Sequence, residues 1–452
     1  MPFCGRISIT VKKMALKMLM IILVALIMSC GSGNAGKSSQ EQKIVVADKV
    51  EASVLGRNEG NRIIIDKNID LKGCECKIPA GRTLVFKSGM IKNGILKGDM
   101  TKIECKGKAF NRVTIKGSWN VPEISTKLFA DLSYENALRD VVALANPKVK
   151  NRIVIEKGEY KVKAEQKAKV CIPLCSNTDF ILKGTIHLEP NEFKHYYIVQ
   201  AKGENINIEG KGTIIGDKHT HTGNEGEWGM GIDLKGAINA TVSSLTIRDC
   251  WGDCIYVGGN SRNVLIEKCK LDHGRRQGIS VTKANGVTIR NCTITNVGGT
   301  APEYAIDVEP NRRDSIDNII IENVTVKDCE GGILVTRPMS KKQENKGIRI
   351  GSVNIKNCNI KCNKKYPVRI KGCEKIEINK CRLYAPDGLQ PISITYSGEA
   401  IVHNNIVSYC YDMLDKATNE LRELIGKGKR FPIDIRKTNK QSVKNNKSIA
   451  RR

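Results

Sequence analysis

At 452 residues the chain is long enough for two or three ordinary domains or for one repetitive one. Its 27% charged and 40% hydrophobic residues, 41 glycines and 13 prolines exclude a collagenous, a wholly disordered and a multi-spanning membrane protein, while 5% aromatics point to a core of thin stacked aliphatic side chains, as in β repeats. The 74 Lys and Arg against 47 Asp and Glu give a net charge of +27, which calls for a polyanionic partner without naming it.

Residues 1–29 carry Arg6, Lys12, Lys13 and Lys17 but no acid, and then an apolar run from Leu19 to Met28 that is short for a bilayer crossing. This pattern predicts an export signal. The sequence Ile27-Met28-Ser29-Cys30 resembles a bacterial lipobox, which implies lipidation at Cys30, a place in the bacterial cell envelope, and contact with the membrane through that anchor alone. Residues 30–59, opening on Gly, Ser and Lys, are expected to form a flexible tether. An exported protein does not meet genomic nucleic acid, so the charge points to an acidic polysaccharide or to the negatively charged cell surface.

From residue 60 to 410 a single repetitive domain is expected. The segments from Ile63 and Leu84 read as degenerate early turns, and Tyr134 to Ala145 as an amphipathic helix flanking the coil. The register becomes regular at Ile232, Ile255, Ile279 and Ile306, which open the phrases GIDL, CIYV, GISV and AIDV at near-constant spacing, with the extra residues of the last interval falling in Gly298 to Pro302. A second strand recurs from Asn263, Gly286, Asn318, Val353 and Lys375. Short strands punctuated by Asn and Gly describe an all-β, single-stranded parallel β-helix better than helical hairpins, a propeller or a sandwich. Right-handedness is expected from the chirality of parallel crossovers. Several of the 17 cysteines sit in one small phrase, as in Glu267-Lys268-Cys269 and Arg290-Asn291-Cys292, and are read as core. Cys171/Cys175 and Cys358/Cys362 lack a histidine at finger spacing, so no zinc site is expected. Beyond residue 411 the pattern predicts a terminal helix and then a basic, solvated tail to 452.

Strand side chains alternate, so Asp233, Tyr256, Ser280, Asp307 and Leu334 should line one outer face, joined by Met230, Asp253, Gln277 and Tyr304. Glu227, Trp228, Trp251, Arg275, Arg276, Glu303 and Glu309 lie at the adjoining corners. Acids, arginines and aromatics on successive rungs suit a linear glycan, whose rings stack on Trp and whose polar groups pair with Asp and Arg. His219 and His221, in an inserted segment beside this face, are candidates for substrate binding rather than for a metal.

Trp251-Gly252-Asp253-Cys254-Ile255, followed by Gln277-Gly278-Ile279-Ser280-Val281, resembles the GDDCI and GHGISI segments of polygalacturonase-type glycoside hydrolases, and Gly231-Ile232-Asp233-Leu234 resembles the end of their NTDGIDI. The helix followed by IEKGEY is similar to the opening of proteins of the pectate-lyase-like superfamily. The resemblance implies a right-handed β-helix and transfers a catalytic role to Asp253. Met230, Gly252 and Gln277 stand where that family has two acids and a histidine.

Three chemistries remain open: hydrolysis by Asp253 with Asp307 or Asp233, β-elimination from a uronic acid with His273 as base and Arg275 and Arg276 as neutralisers, and C5 epimerisation. No cofactor is required, although elimination leaves room for Ca²⁺ on Asp233, Asp253 and Asp307. The non-catalytic alternative is a glycan-binding or surface-structural lipoprotein, and a monomer is expected.

Overall fold

Asparagine and glycine corners decide how this chain winds. The computed structural model describes residues 49–135, 137–165, 169–311, 313–337, 347–410 and 433–451, all within one compact unit. The leader, Cys30 and the tether as far as residue 48 lie outside the described residues, as does the helix expected from 411.

Each turn contributes one strand to each of three parallel sheets of 13, 11 and 10 strands, and an 8-stranded sheet precedes them. A typical turn runs Trp228–Lys235, Ala237–Ser243 and Thr246–Arg248 before Ile255–Gly258 begins the next rung. Like residues therefore stack: Ile232 pairs with Ile255, Ile255 with Ile279, Ile279 with Ile306 and Ile306 with Ile333, all fully buried. Each such side chain contributes roughly 1.5–3 kcal/mol by leaving water.

The corners need a backbone conformation that Asn tolerates better than most residues. Asn177, Asn205, Asn239 and Asn263 have φ of 59, 57, 53 and 54°. Their side-chain amides donate rung to rung at 3.0, 3.3 and 3.0 Å, so one residue type satisfies both the turn and the ladder. The cysteine phrase divides between two corners. Cys269, Cys292, Cys358 and Cys381 form one stacked set, each thiol donating to a carbonyl of an earlier rung, whereas Cys250 belongs to the next corner. Cys250, Cys269, Cys292, Cys358 and Cys381 are buried free thiols.

Two boundaries differ from the sequence reading. The coil begins before residue 60: Lys49–Val50 pairs with Glu75–Lys77, and Leu55 is fully buried. At the other end the basic tail is not a solvated coil. Ile433–Arg436, Lys440–Lys444 and Lys447–Arg451 add a further rung, pairing with the three preceding strands. Ladder hydrogen bonds come from the backbone, so lysines that face solvent do not prevent it, and their abundance hid the pattern. The expected flanking helix is present but short, Ala137–Val142, with Leu138 and Val141 in the core. Buried Asp140 accepts from the Ile115 amide at 2.9 Å and the Tyr134 hydroxyl at 3.0 Å.

Candidate functional site

The 10-stranded sheet presents the expected outer column, with Asp233, Tyr256, Ser280, Asp307 and Leu334 paired in register on Trp228–Lys235, Ile255–Gly258, Ile279–Val281, Tyr304–Val308 and Gly331–Thr336. A small residue, Gly231, Cys254, Gly278, Ala305 or Gly332, precedes the inward Ile on each rung. The chain bends there, which turns Met230, Asp253 and Gln277 out of the aliphatic core. The centre of this face is nevertheless closed to water: Asp253 and Gln277 are 0% exposed, and Ser280 and Asp307 2%.

Diagonal contacts explain the closure. Ser280 Oγ donates to Asp253 Oδ2 at 2.6 Å, one rung on, and Gln277 Nε2 donates to Asp307 Oδ2 at 2.9 Å. The Gln277 carbonyl oxygen in turn accepts from the Tyr304 amide at 3.0 Å, which fixes the direction of the side-chain amide. Arg276 reaches across from the corner to Asp253 at 3.4 Å and Glu227 at 3.2 Å.

The two acids are thereby made unequal. Burial pushes the Asp253 carboxyl up to about 6, with the Arg276 charge and the Ser280 hydroxyl pulling the other way. Burial raises Asp307 well above the usual range, and the charges of Glu309 and Asp253 raise it further against the pull of Arg276. Asp307 Oδ1 is buried with no hydrogen-bond partner among the described residues. Glu309 is also raised by burial. Glu227, Asp253, Asp307, Glu309 and Arg276 thus form one electrostatic group.

Other expected residues lie elsewhere. Asp233 is 0% exposed and accepts from Gln200 Nε2 at 2.7 Å and the Lys235 amide at 3.2 Å. Burial raises it to about 6 against those bonds, so its ionisation opposes folding. The stability associated with its neutral form is complete below the ordinary value of 3.8 and is lost as pH rises through about 6. The parent should therefore lose about 2–3 kcal/mol between pH 4 and pH 8 on this account, and Asp233→Asn, whose amide keeps only one of the two accepted bonds, should abolish that pH dependence, read as the shift in denaturation midpoint at each pH.

His273 is set at a corner with φ 53°, its Nδ1 at 2.8 Å from Asp272 Oδ2 and its ring 6.1 Å from that of His219, which pairs with Asp249 at 3.1 Å. The corner that carries His273 thus holds its own histidine cluster, and His273 makes no hydrogen bond to Asp253 or Asp307 among the described residues. Arg275 lies 3.6 Å from the Trp251 ring centroid and donates to the backbone carbonyls of Trp251 and Gly226 and to Thr300 Oγ1. His221 stacks on Trp251 at 4.0 Å and pairs through Nδ1 with buried Asp217 at 2.7 Å. Trp251 is thus packed by protein rather than offered to a sugar. Trp228 is 47% exposed, with the His195 ring 6.1 Å away. Tyr256 shares a hydrogen bond with Thr282, and Glu303 pairs with Lys365 at 2.6 Å.

Sequence reasoning missed Tyr196 and Asn191, which with His221 hold Asp217 and so anchor the inserted segment that carries Glu227 and Trp228. Their signal was faint: Tyr196-Tyr197 occupies the rung position of Gly229-Met230. The described residues contain no group of three or more His, Cys, Asp and Glu side chains that could hold a metal ion, and Asp233, Asp253 and Asp307 are not gathered into one.

The family described as right handed beta helix region matches residues 182–346 and 344–451, more than half of the chain. The chain belongs to the right-handed β-helix family. Among curated relatives it is 32% identical over 155 residues to the uncharacterized protein YclG of Bacillus subtilis, covering 30% of this chain and 26% of that protein. It is 29% identical over 184 residues to the SPbeta prophage-derived uncharacterized protein YorA of the same organism, covering 35% and 31%. The matches thus span less than a third of either relative. Among solved structures, the A-module of the mannuronan C-5 epimerase AlgE6 from Azotobacter vinelandii superposes with a TM-score of 0.50 at 12% identity, over 71% of this chain and 97% of that one. At that identity the likeness concerns the fold.

Proposed function

We propose that this right-handed β-helix protein acts at the bacterial cell envelope, tethered through Cys30, and hydrolyses an acidic polysaccharide laid along its 10-stranded sheet. The observation that carries the reading is the inequality of Asp253 and Asp307. Asp253 has a cation and a hydroxyl to support its charged form. Asp307 has one amide contact and an unpartnered oxygen. Pairs of carboxyls whose surroundings drive their protonation apart divide the acid and base roles between them.

In this reading Asp307, pushed toward its neutral form, delivers its proton to the leaving glycosidic oxygen, while Asp253, ionised above about pH 6, draws a proton from water. The residues stand two rungs apart, roughly 9–10 Å along the coil, near the upper end of the separation at which a water fits between an inverting pair. Substrate must displace Arg276 from above Asp253, and a sugar carboxylate is the group suited to do so. The positive charge of the chain and the polysaccharide substrate of the superposed epimerase support the same substrate class.

A panel of uronate-containing and neutral polysaccharides, followed by new reducing ends and by ultraviolet absorbance of an unsaturated product, tests this reading. New reducing ends without absorbance are expected, with activity rising through about pH 6 and falling once Asp307 ionises. Absorbance rising with reducing ends would replace hydrolysis by elimination. The burial of both acids, with Arg276 over Asp253, favours one other reading, a non-catalytic glycan-binding face, and retention on a glycan without products would establish it.

A further inference from the structure

We propose that Gln277 is a positioning residue that assigns the labile proton of Asp307 to Oδ1, the oxygen of that carboxyl with no partner. This rests on the hydrolytic reading above and adds to it the atom from which the proton leaves.

Gln277 is fully buried, on the rung before Asp307. Burial leaves its amide no water to bond, so the protein must satisfy both ends. The backbone N–H of Tyr304, on the strand that carries Asp307, donates to Gln277 Oε1 at 3.0 Å. A backbone N–H can only donate, so turning the amide over would set Nε2 against it, donor to donor. Nε2 is therefore the group that faces Asp307 Oδ2, at 2.9 Å.

That N–H needs an acceptor. A neutral carboxyl has a carbonyl oxygen, which accepts, and a hydroxyl, which donates. A proton on Oδ2 would set O–H against N–H, so Oδ2 is the carbonyl and Oδ1 carries the proton. Oδ1 is buried and has no hydrogen-bond partner among the described residues. A buried donor without an acceptor is costly to keep, and a ligand oxygen would complete it. The charged groups that act on Asp307 are Glu309 from its own strand, Arg276 from the corner and Asp253 from two rungs earlier. Those charges set how readily the proton leaves. Gln277 does not titrate, and it sets only which oxygen holds the proton.

Infrared spectra of the full chain, made with aspartate carrying a heavy carboxyl carbon, test the assignment without substrate. The difference between the parent and Asp307→Asn isolates the Asp307 carbonyl stretch, followed from about pH 5 to 9. Gln277→Met removes the donor at similar volume and should move that band to higher wavenumber, because the carbonyl loses its hydrogen bond. A band that does not move puts the carbonyl at Oδ1 and overturns the proposal, with the hydrolytic reading intact. Gln277→Met also leaves the Tyr304 amide without an acceptor, so a second variant carries the kinetic test. Gln277→Glu keeps that acceptor and the shape, but sets an oxygen against Oδ2 and draws the Asp307 proton to that side. Its kcat on an acidic glycan is expected to fall about 100-fold with KM unchanged. A parental kcat, or a loss in KM alone, overturns the positioning role. If the parent turns over no glycan while the band moves as expected, the hydrolytic reading falls and the proton assignment stands. A parent with no protonated Asp307 band at any pH overturns both.

Discussion

Asp307→Asn lowers the turnover of acidic glycan by at least about a hundredfold, in the range lost with a general acid, while the protein folds and retains its substrate. The substitution isolates the proton. Burial and the Glu309 and Asp253 charges push Asp307 toward its neutral form, which an amide of the same shape imitates. The carbonyl oxygen of the new side chain still accepts from Gln277 Nε2, and only the transferable proton is lost. Initial rates from reducing ends, compared with retention on immobilised glycan, check the outcome. A variant with parental rates would remove Asp307 from the chemistry and leave it a satisfied polar position of the coil. Asp253→Asn is a less clean probe, because it also leaves Arg276 facing Glu227 alone.

Gly278→Val destabilises the coil by roughly 3–4 kcal/mol and disorders the acid pair with it. A Cβ at Gly278 would stand 2.6 Å from the Ala305 carbonyl oxygen and 2.6 Å from Ile294 Cγ2, so the next rung must move. Neither contact is with a flexible side-chain end. The glycine lies between Gln277 and Ser280, which hold Asp307 and Asp253, and a displaced bend separates both diagonal pairs. Because rungs interact mainly with their neighbours, the loss should be local: amide exchange should accelerate first over residues 255–308, together with a lower melting temperature. Gly107→Ala, where a Cβ meets nothing within 4 Å, serves as a control expected to stay within about 0.5 kcal/mol.

These two effects also mark how far sequence carries. The phrases beginning at Ile232, Ile255, Ile279 and Ile306 reveal the repeat because a stacked coil demands an aliphatic residue at one inward position of every rung, and a small residue just before it where the chain bends. Asn at the corners is equally legible, since few other side chains accept a φ near 55° and ladder with their own kind. The last rung was illegible for the converse reason. Lys440, Lys444 and Lys447 carry the signature of a solvated tail, yet the preceding rung offers an open backbone edge with which these strands pair.

The sequence alone determined the architecture, the register and the face on which Asp233 and Asp307 lie, because these follow from a period of two along a strand and a near-constant length per turn, while the small residue before each inward Ile marks the bend that brings Asp253 and Gln277 to the same face. Only the tertiary structure decided which of those residues act together. Arg276, Trp251, His221 and His273 sit at corners, where the chain leaves the strand period and side-chain direction depends on contacts made one or two rungs away. There the packing sends Arg276 to Asp253 and Glu227, covers Trp251 with Arg275 and His221, and pairs His273 with Asp272. Burial does the rest, since the withdrawal of water that makes Asp253 and Asp307 unequal exists only once neighbouring rungs have stacked.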